Sequence, residues 1–510
     1  MDQDLKGKLD FTLPNRVFIT LVVMILGVRF LHFGELIDNP HAWRQCDTAN
    51  YIFDFFKNGI DIFEPAVCWM GAHKTVILEF PLPEAMVAVF YHVFGEHHWV
   101  ARMFFLLCFC GAAYYFFLII LELFGKTRAR VATLIYLSLP LSMFYSRAIH
   151  IDFFAVFMAH GMFFHWMKAV KNQEAKHWIA GGLFTTLAFL VKAPYAFFLA
   201  LPLLMMAIQE KQFVKSLKWT FLLMLPIILF VLWRSYATGV NSLAPDWHYL
   251  EAYRKFDENT FWFFGTLEQR LSLWNWLRLG ERLAFDVVGH AGVLFVIIGF
   301  FQMWWLKQYP FLLAWMLGLL VYLCTFFNLN LVHDYYQIPF LPIASTLITI
   351  GIFSLSGNAM VVRMNISRFA FFGGLGIVIL GNITNAELRY YKTEDQRVLQ
   401  EIGEIIEGTT PTSALPVITY NDFDVRNPQI LYRARRNGWS VPLRNWNAEA
   451  INLLTENEGA THFVFVGPGP PDGAIGKFTR RLNLINSTKL NNTYLKVFIW
   501  TLSYQDEIEN

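Results

Sequence analysis

"PLPEAMVAVFYHVFG", residues 81–95, is apolar enough to enter a bilayer, but at about 15 residues it falls short of the roughly 20 that a helix needs to cross one. If it crosses, every later helix reverses direction. If it lies in the interface, the long polar loop before it stays on one side. Lys and Arg concentrate in cytoplasmic connections, so their placement decides between the two. With 81–95 in the interface, "GKTRAR" (125–130), "KAVKNQEAKH" (168–177), "QEKQFVKSLK" (209–218), the Lys307 turn and "VVRMNIS" (361–367) share one side with Lys6, Lys8 and Arg16. The stretch is therefore read as an interfacial helix.

The composition agrees with a membrane setting. Of 510 residues 55% are hydrophobic, 17% aromatic and 16% charged, with 51 Phe and 17 Trp; a soluble chain carries about 25% charged residues. The net charge of +2 offers nothing to a nucleic acid. Runs of spanning length begin near Arg16, Val100, Ala129, His150, Trp178, Tyr195, Leu217, Asp286, Pro310, Tyr335 and Arg368, about eleven by the length rule. The first, "RVFITLVVMILGVRFLHFGEL" (16–36), has no small-residue cleavage site after it and reads as a retained span. The expected fold class is an α-helical polytopic membrane protein, 1–384, whose first loop, 38–99, carries interfacial helices. A small extracytoplasmic α/β domain, 385–510, follows.

In that tail "EDQRVLQEIGEIIEG", "NPQILYRARRNG" and "NAEAINLLTENEG" read as helices, and "LPVITY", "THFVFVG" and "YLKVFIWTLS" as strands. "GPGPPDG" is turn chemistry without the spacing of a phosphate-cradling loop. Of five cysteines, Cys108, Cys110 and Cys324 sit in apolar runs as small hydrophobes. Cys46 and Cys68 share one loop, close enough in sequence to pair in an oxidising compartment.

Ionisable residues at membrane depth are costly, so a cluster on one face is a functional hypothesis by default. "NPHAWRQCDT" (39–48) presents His41, Arg44 and Asp47, and Glu79 follows in the same loop. "YSRAIHID" brings Arg147, His150 and Asp152; "LVKAPY" brings Lys192; "LVHDYYQIP" brings His333, Asp334, Tyr335 and Tyr336. Carboxylates interleaved with cations suit a transfer in which a base deprotonates an acceptor and cations hold a phosphate leaving group. Against these stand plainer readings. Arg102, His97 and His98 suit interfacial anchors, and Asp61 and Glu64 suit loop solvation. No HExxH-type ligand spacing occurs, no cofactor is required, and a divalent metal stays open.

The strings "HAWRQCDTANYIFDFFKNG", "EFPLPEAMVAVFYHVFGEHHWVARM", "YSRAIHIDFF", "LVKAPY" and "HDYYQIPFLPIA" together resemble the C-type glycosyltransferases of the protein O-mannosyltransferase and lipid A aminoarabinose transferase superfamily. The resemblance covers about 16–350 and fades over the tail. It implies an inner-membrane enzyme that moves a sugar from a polyprenyl-phosphate donor to a lipid, glycan or protein acceptor in the periplasm, with inversion. Asp47 stands where that family has its proposed base, Asp152 where it has a second acidic residue, and Glu79 resembles a loop glutamate of the aminoarabinose transferases. There that glutamate precedes a lysine; here Phe80 follows, which leaves that lysine's role to Lys192 or Arg44, and Arg147 joins these two as a cation that would neutralise the phosphate. His41, His333, Tyr335 and Tyr336 complete the substrate-binding candidates. Adjacent Asp and Glu mark the protein mannosyltransferases, whereas this chain has Asp47 and Thr48. The rival reading is a non-enzymatic carrier or flippase of lipid-linked sugars. A flippase needs polar groups along its path, while here they gather at one face.

Overall fold

The computed structural model describes residues 13–34, 36–212, 221–250, 253, 255, 260–391 and 393–504. Lys6, Lys8, Lys215 and Lys218, used above to orient the chain, lie outside them. Contacts divide the chain into two compact units: Met1–Gly34, Ala101–Arg234 and Thr260–Tyr391 form the first, and Glu35–Val100, Ser235–Asn259 and Lys392–Asn510 the second.

Among the described residues six helices are long and apolar enough to cross a membrane: Asn15–His32, His98–Phe124, Asp152–Asn172, Met224–Ser242, Asp334–Ser356 and Ser367–Arg389. Two bent pairs raise the number to at most 8, short of the eleven expected. The difference has local causes. The run expected from Ala129 forms two helices, Lys126–Ser138 and Pro140–Tyr145. Proline disfavours helical backbone in the residue before it, and Leu139 is extended with ψ 144°. Helix ends leave carbonyls without helical partners; here the buried Arg29 donates to Leu137 O at 2.7 Å and to Ser146 Oγ at 2.6 Å. The runs expected from Trp178 and Tyr195 form one pair, Ala175–Tyr195 and Phe197–Gln209, bent by 103° after "KAPY". The run expected from Asp286 belongs to Leu273–Val288 and His290–Met303, bent by 93° at Gly289. Gly289 has φ +76°, and a Cβ there would lie 1.8 Å from Asn382 Oδ1, so only glycine fits this corner. The helix Tyr309–Thr325 has 17 residues.

The second unit combines the first loop with the C-terminal region. Its sheet runs β2 (Trp439–Ser440), β1 (Pro416–Thr419), β3 (His462–Gly467), β5 (Lys496–Tyr504), β4 (Leu482–Lys489). β1 is parallel to β2 and β3, while β5 is antiparallel to β3 and β4. The helices Glu394–Thr409 and Ala448–Glu458 fall where the sequence puts them. β4 and the helix Gly473–Thr479 were not expected.

One buried cluster joins Tyr51, Val67, Trp69 and Val76 of the loop to Trp247, Ile402, Val417, Trp439, Phe463 and Ile499. Backbone bonds lock the join: Gly71 N–H donates to Gly438 O at 3.1 Å, and Gly438 N–H to Cys68 O at 2.9 Å. Gly71 has φ +54°, and a Cβ on it would stand 2.0 Å from the Trp439 indole. The loop is thus part of a folded core. Leu82–Phe94, with 13 residues, is too short to span. It exposes Met86, Val89, Phe90, Val93 and Phe94 and buries Ala85, Ala88 and Tyr91, which is the two-faced pattern of a helix lying in an interface.

Candidate functional site

Asp47 lies in the helix Ala42–Asn58, which starts after His41 in left-handed backbone (φ 54°) and stops at Gly59 with φ +97°. The first turns of this helix are buried from Arg44 to Ile52. Both oxygens of Asp47 have partners: the Trp69 indole N–H donates to Oδ1 at 3.0 Å, and Arg44 Nη1 lies 3.7 Å from Oδ2. Arg44 also binds Glu79 in a salt bridge. His41 makes an edge contact with Trp43 at 6.4 Å, and its carbonyl accepts from Arg44 N–H at 3.0 Å.

Burial pushes the Asp47 carboxyl up to about 7; Arg44 and the Trp69 hydrogen bond oppose the rise, and Glu79 and Asp424 add to it. A carboxyl poised there can take a proton near neutral pH. The C-terminal region holds the segment that positions it. Arg433, buried, donates to Gln396 Oε1 at 2.6 Å and to Cys46 Sγ at 3.5 Å. Cys46 and Cys68 are both free and buried thiols, so no disulfide closes the loop.

The first unit holds the other cluster. Asp152 begins the helix Asp152–Asn172, fully buried. It pairs with Lys192, and His150 Nδ1 lies 2.8 Å from its Oδ2. The Lys192 ammonium also stands over three rings, 4.4 Å from Tyr336, 4.6 Å from Tyr195 and 5.0 Å from Tyr335, the geometry of cation–π attraction. His333 stacks on Tyr335 at 5.0 Å. The Tyr195 hydroxyl donates to Tyr335 O at 2.7 Å, and the Tyr145 hydroxyl to Asp334 at 2.5 Å.

Arg147 belongs to the same unit. Its side chain is fully buried, donates to His32 O at 3.2 Å and covers the Tyr391 ring at 4.3 Å. Arg102, read from sequence as an interfacial anchor, is fully buried and donates to Phe33 O at 2.7 Å. Its length and fork suit it to closing a helix end.

Of the residues that sequence reasoning singled out, Asp47, Arg44 and Glu79 meet within the second unit, and Asp152, Lys192, His333, Tyr335 and Tyr336 within the first. It missed Trp69, which carried no signal beyond an indole near a carboxylate in one loop. It also missed Glu84, concealed in the apolar run 81–95. The Glu84 carboxyl is buried and raised to about 8 by that burial. Among the described residues no group of three His, Cys, Asp or Glu side chains is arranged to hold a metal ion.

Three comparisons bear on this arrangement. The dolichyl-phosphate-mannose-protein mannosyltransferase family profile matches residues 79–234. An undecaprenyl phosphate-alpha-4-amino-4-deoxy-L-arabinose arabinosyl transferase from Shewanella sediminis is 27% identical over 251 residues. That match spans 46% of this chain and 41% of the relative. Among solved structures, ArnT from Cupriavidus metallidurans bound to undecaprenyl phosphate is similar with a TM-score of 0.63 at 13% identity, over 95% of this chain and 97% of that one. The archaeal oligosaccharyltransferase AglB from Archaeoglobus fulgidus is similar with a TM-score of 0.52 at 12% identity, over 88% and 69%. At such identities the structural likeness speaks for the fold alone.

Proposed function

We propose that the chain is an integral membrane glycosyltransferase that moves one sugar from a polyprenyl-phosphate donor to an acceptor outside the cytoplasm, a lipid, glycan or protein, with inversion. The observation that carries the reading is Asp47: a buried carboxyl fixed by Trp69 and Arg44 and raised to about 7. Such a group takes the acceptor hydroxyl proton as the oxygen attacks the anomeric carbon. The bond from that carbon to the phosphate breaks, and the polyprenyl phosphate leaves as an anion that needs no proton. Arg44 answers the developing negative charge near Asp47, and Lys192, within its ring cage, offers a cation for the donor phosphate. Tyr335 and Tyr336 wall that cation, His333 packs on both of those rings, and Asp152 orients it.

The likeness to the aminoarabinose transferases supports a lipid-phosphate donor. In a bacterium the membrane is the inner one, with the first loop and the C-terminal region in the periplasm. Reporters fused after Asn39 and after Gly95 then read the same side, because 81–95 does not cross; opposite readings would reverse the orientation. For the reaction, membranes containing the protein release free polyprenyl phosphate from their own lipid-linked sugars when acceptor is present, and nucleotide sugars do not substitute. Turnover supported by a nucleotide sugar in donor-free proteoliposomes would end the proposal.

A further inference from the structure

The helix Leu82–Phe94 turns its apolar face outward and carries one acidic side chain inward, Glu84. That side chain is 3% exposed, and its Oε2 meets no hydrogen-bond partner among the described residues. A buried polar atom without a partner is costly and calls for an explanation. The helix packs against Ala42–Asn58, and the charges that act on Glu84 are Glu79, ahead of it in the loop, and Arg44, one turn before Asp47. The other charged groups of these two helices lie further along: Asp54 bonds Asn58, and Lys57 pairs with Glu96 at 3.8 Å. His92 is in the last turn of Glu84's own helix.

We propose that Glu84 is a positioning residue of the Asp47 site that works only as the neutral acid: uncharged, it leaves the Arg44 guanidinium to Glu79 and Asp47, and ionised, it competes for that guanidinium. The inference rests on the reading of Asp47 as base. Arg44 already pairs with Asp47 and Glu79, and an ionised Glu84 would add a third carboxylate whose charge acts on it; in a dry setting one arginine cannot satisfy all three. Asp47 then loses its partner at Oδ2. The direction of titration agrees. Burial holds the Glu84 proton on up to about 8, while Asp47 gives its proton up near 7. Turnover is therefore lost from below as Asp47 protonates, and from above as Glu84 ionises, its proton going to solvent.

The test is the pH profile of polyprenyl phosphate release in native membranes that supply their own donor and acceptor. Wild-type protein shows an acid limb near 7 and an alkaline limb near 8, the latter falling about tenfold per pH unit for a single proton. Glu84→Gln, which keeps the neutral shape, loses the alkaline limb and keeps the acid one. Glu84→Asp, which keeps a carboxyl, retains an alkaline limb at a displaced midpoint. An alkaline limb unchanged in Glu84→Gln overturns the proposal. A wild-type profile without an acid limb instead defeats the reading of Asp47. Should the amide variant not fold, infrared titration of wild-type protein decides. Loss of a protonated-carboxyl band with a midpoint near 8 supports the inference, and no such band overturns it.

Discussion

Asp47→Asn lowers turnover by about 10² to 10⁴, the usual worth of general-base assistance, and leaves the affinity for undecaprenyl phosphate largely as it was. Asparagine keeps the volume and one acceptor oxygen for the Trp69 indole N–H, so the contact at 3.0 Å survives. What it cannot do is take a proton. The loss therefore falls on kcat, and the acid limb near 7 disappears with the carboxyl that produced it. A companion variant separates position from identity. Trp69→Phe removes a hydrogen bond that favours the charged carboxylate, so the Asp47 carboxyl rises further. Hydrogen bonds to charged groups are worth about 1.5–3 kcal/mol, and one pH unit corresponds to about 1.4 kcal/mol, so the acid limb moves up by about one to two units. Turnover at neutral pH falls and recovers in part on raising the pH, as Asp47→Asn cannot. Wild-type turnover in Asp47→Asn would mean that Asp47 is not the base, and Glu79 or Asp152 would have to be tested in its place.

These two residues illustrate what one-dimensional reading reaches. Asp47, Arg44 and Glu79 stood out because a charge near an apolar run is expensive wherever the chain puts it. Trp69 did not, because an indole is at home in any core and its partner is fixed only by folding. Glu84 was in plain view at the third position of a 13-residue helix, yet the apolar average of its neighbours concealed that it faces inward.

The same limit governs the fold. Length marked 81–95 as too short to cross, since 13 helical residues rise only about 20 Å, and the placement of Lys and Arg is what read it as interfacial. Length alone could not place the corners at Leu139, Ala196 and Gly289, where the chain turns inside apolar stretches. Hydropathy counts apolar residues without asking where the backbone bends, and irregular backbone at membrane depth survives only where protein covers it. In the C-terminal sheet β1, β3 and β5 were legible as buried runs of β-branched and aromatic residues. β4, "LNLINSTK", was not, because as the edge strand it exposes most of its side chains and can be built from Asn, Ser and Lys. Nothing in the order of residues announced that Trp69 and Trp439 share a core 370 positions apart.

Lys192→Ala produces a loss of stability before any loss of donor affinity is read. Asp152 and Lys192 face each other with side chains 0% and 4% exposed, and water cannot replace either partner. Removing one member of a buried pair is strongly destabilising, by about 3–5 kcal/mol, because the other charge stays behind uncompensated. The ring cage deepens the effect: Tyr195, Tyr335 and Tyr336 surround a cation in the native protein and the space it left in the variant. His150 is then the group left beside Asp152, at 2.8 Å. Thermal unfolding in detergent micelles reads the expected drop. Lys192→Ala combined with Asp152→Asn regains a large part of it, since the stranded charge is gone, and the cycle of single and double variants gives a coupling beyond additivity. Undecaprenyl phosphate binding is then measured on the stable double variant, where a phosphate role of Lys192 still appears as weakened affinity. Equal melting temperatures for wild type and Lys192→Ala would mean that water or lipid headgroups reach Asp152. The cluster would then be an open surface rather than a closed ion pair.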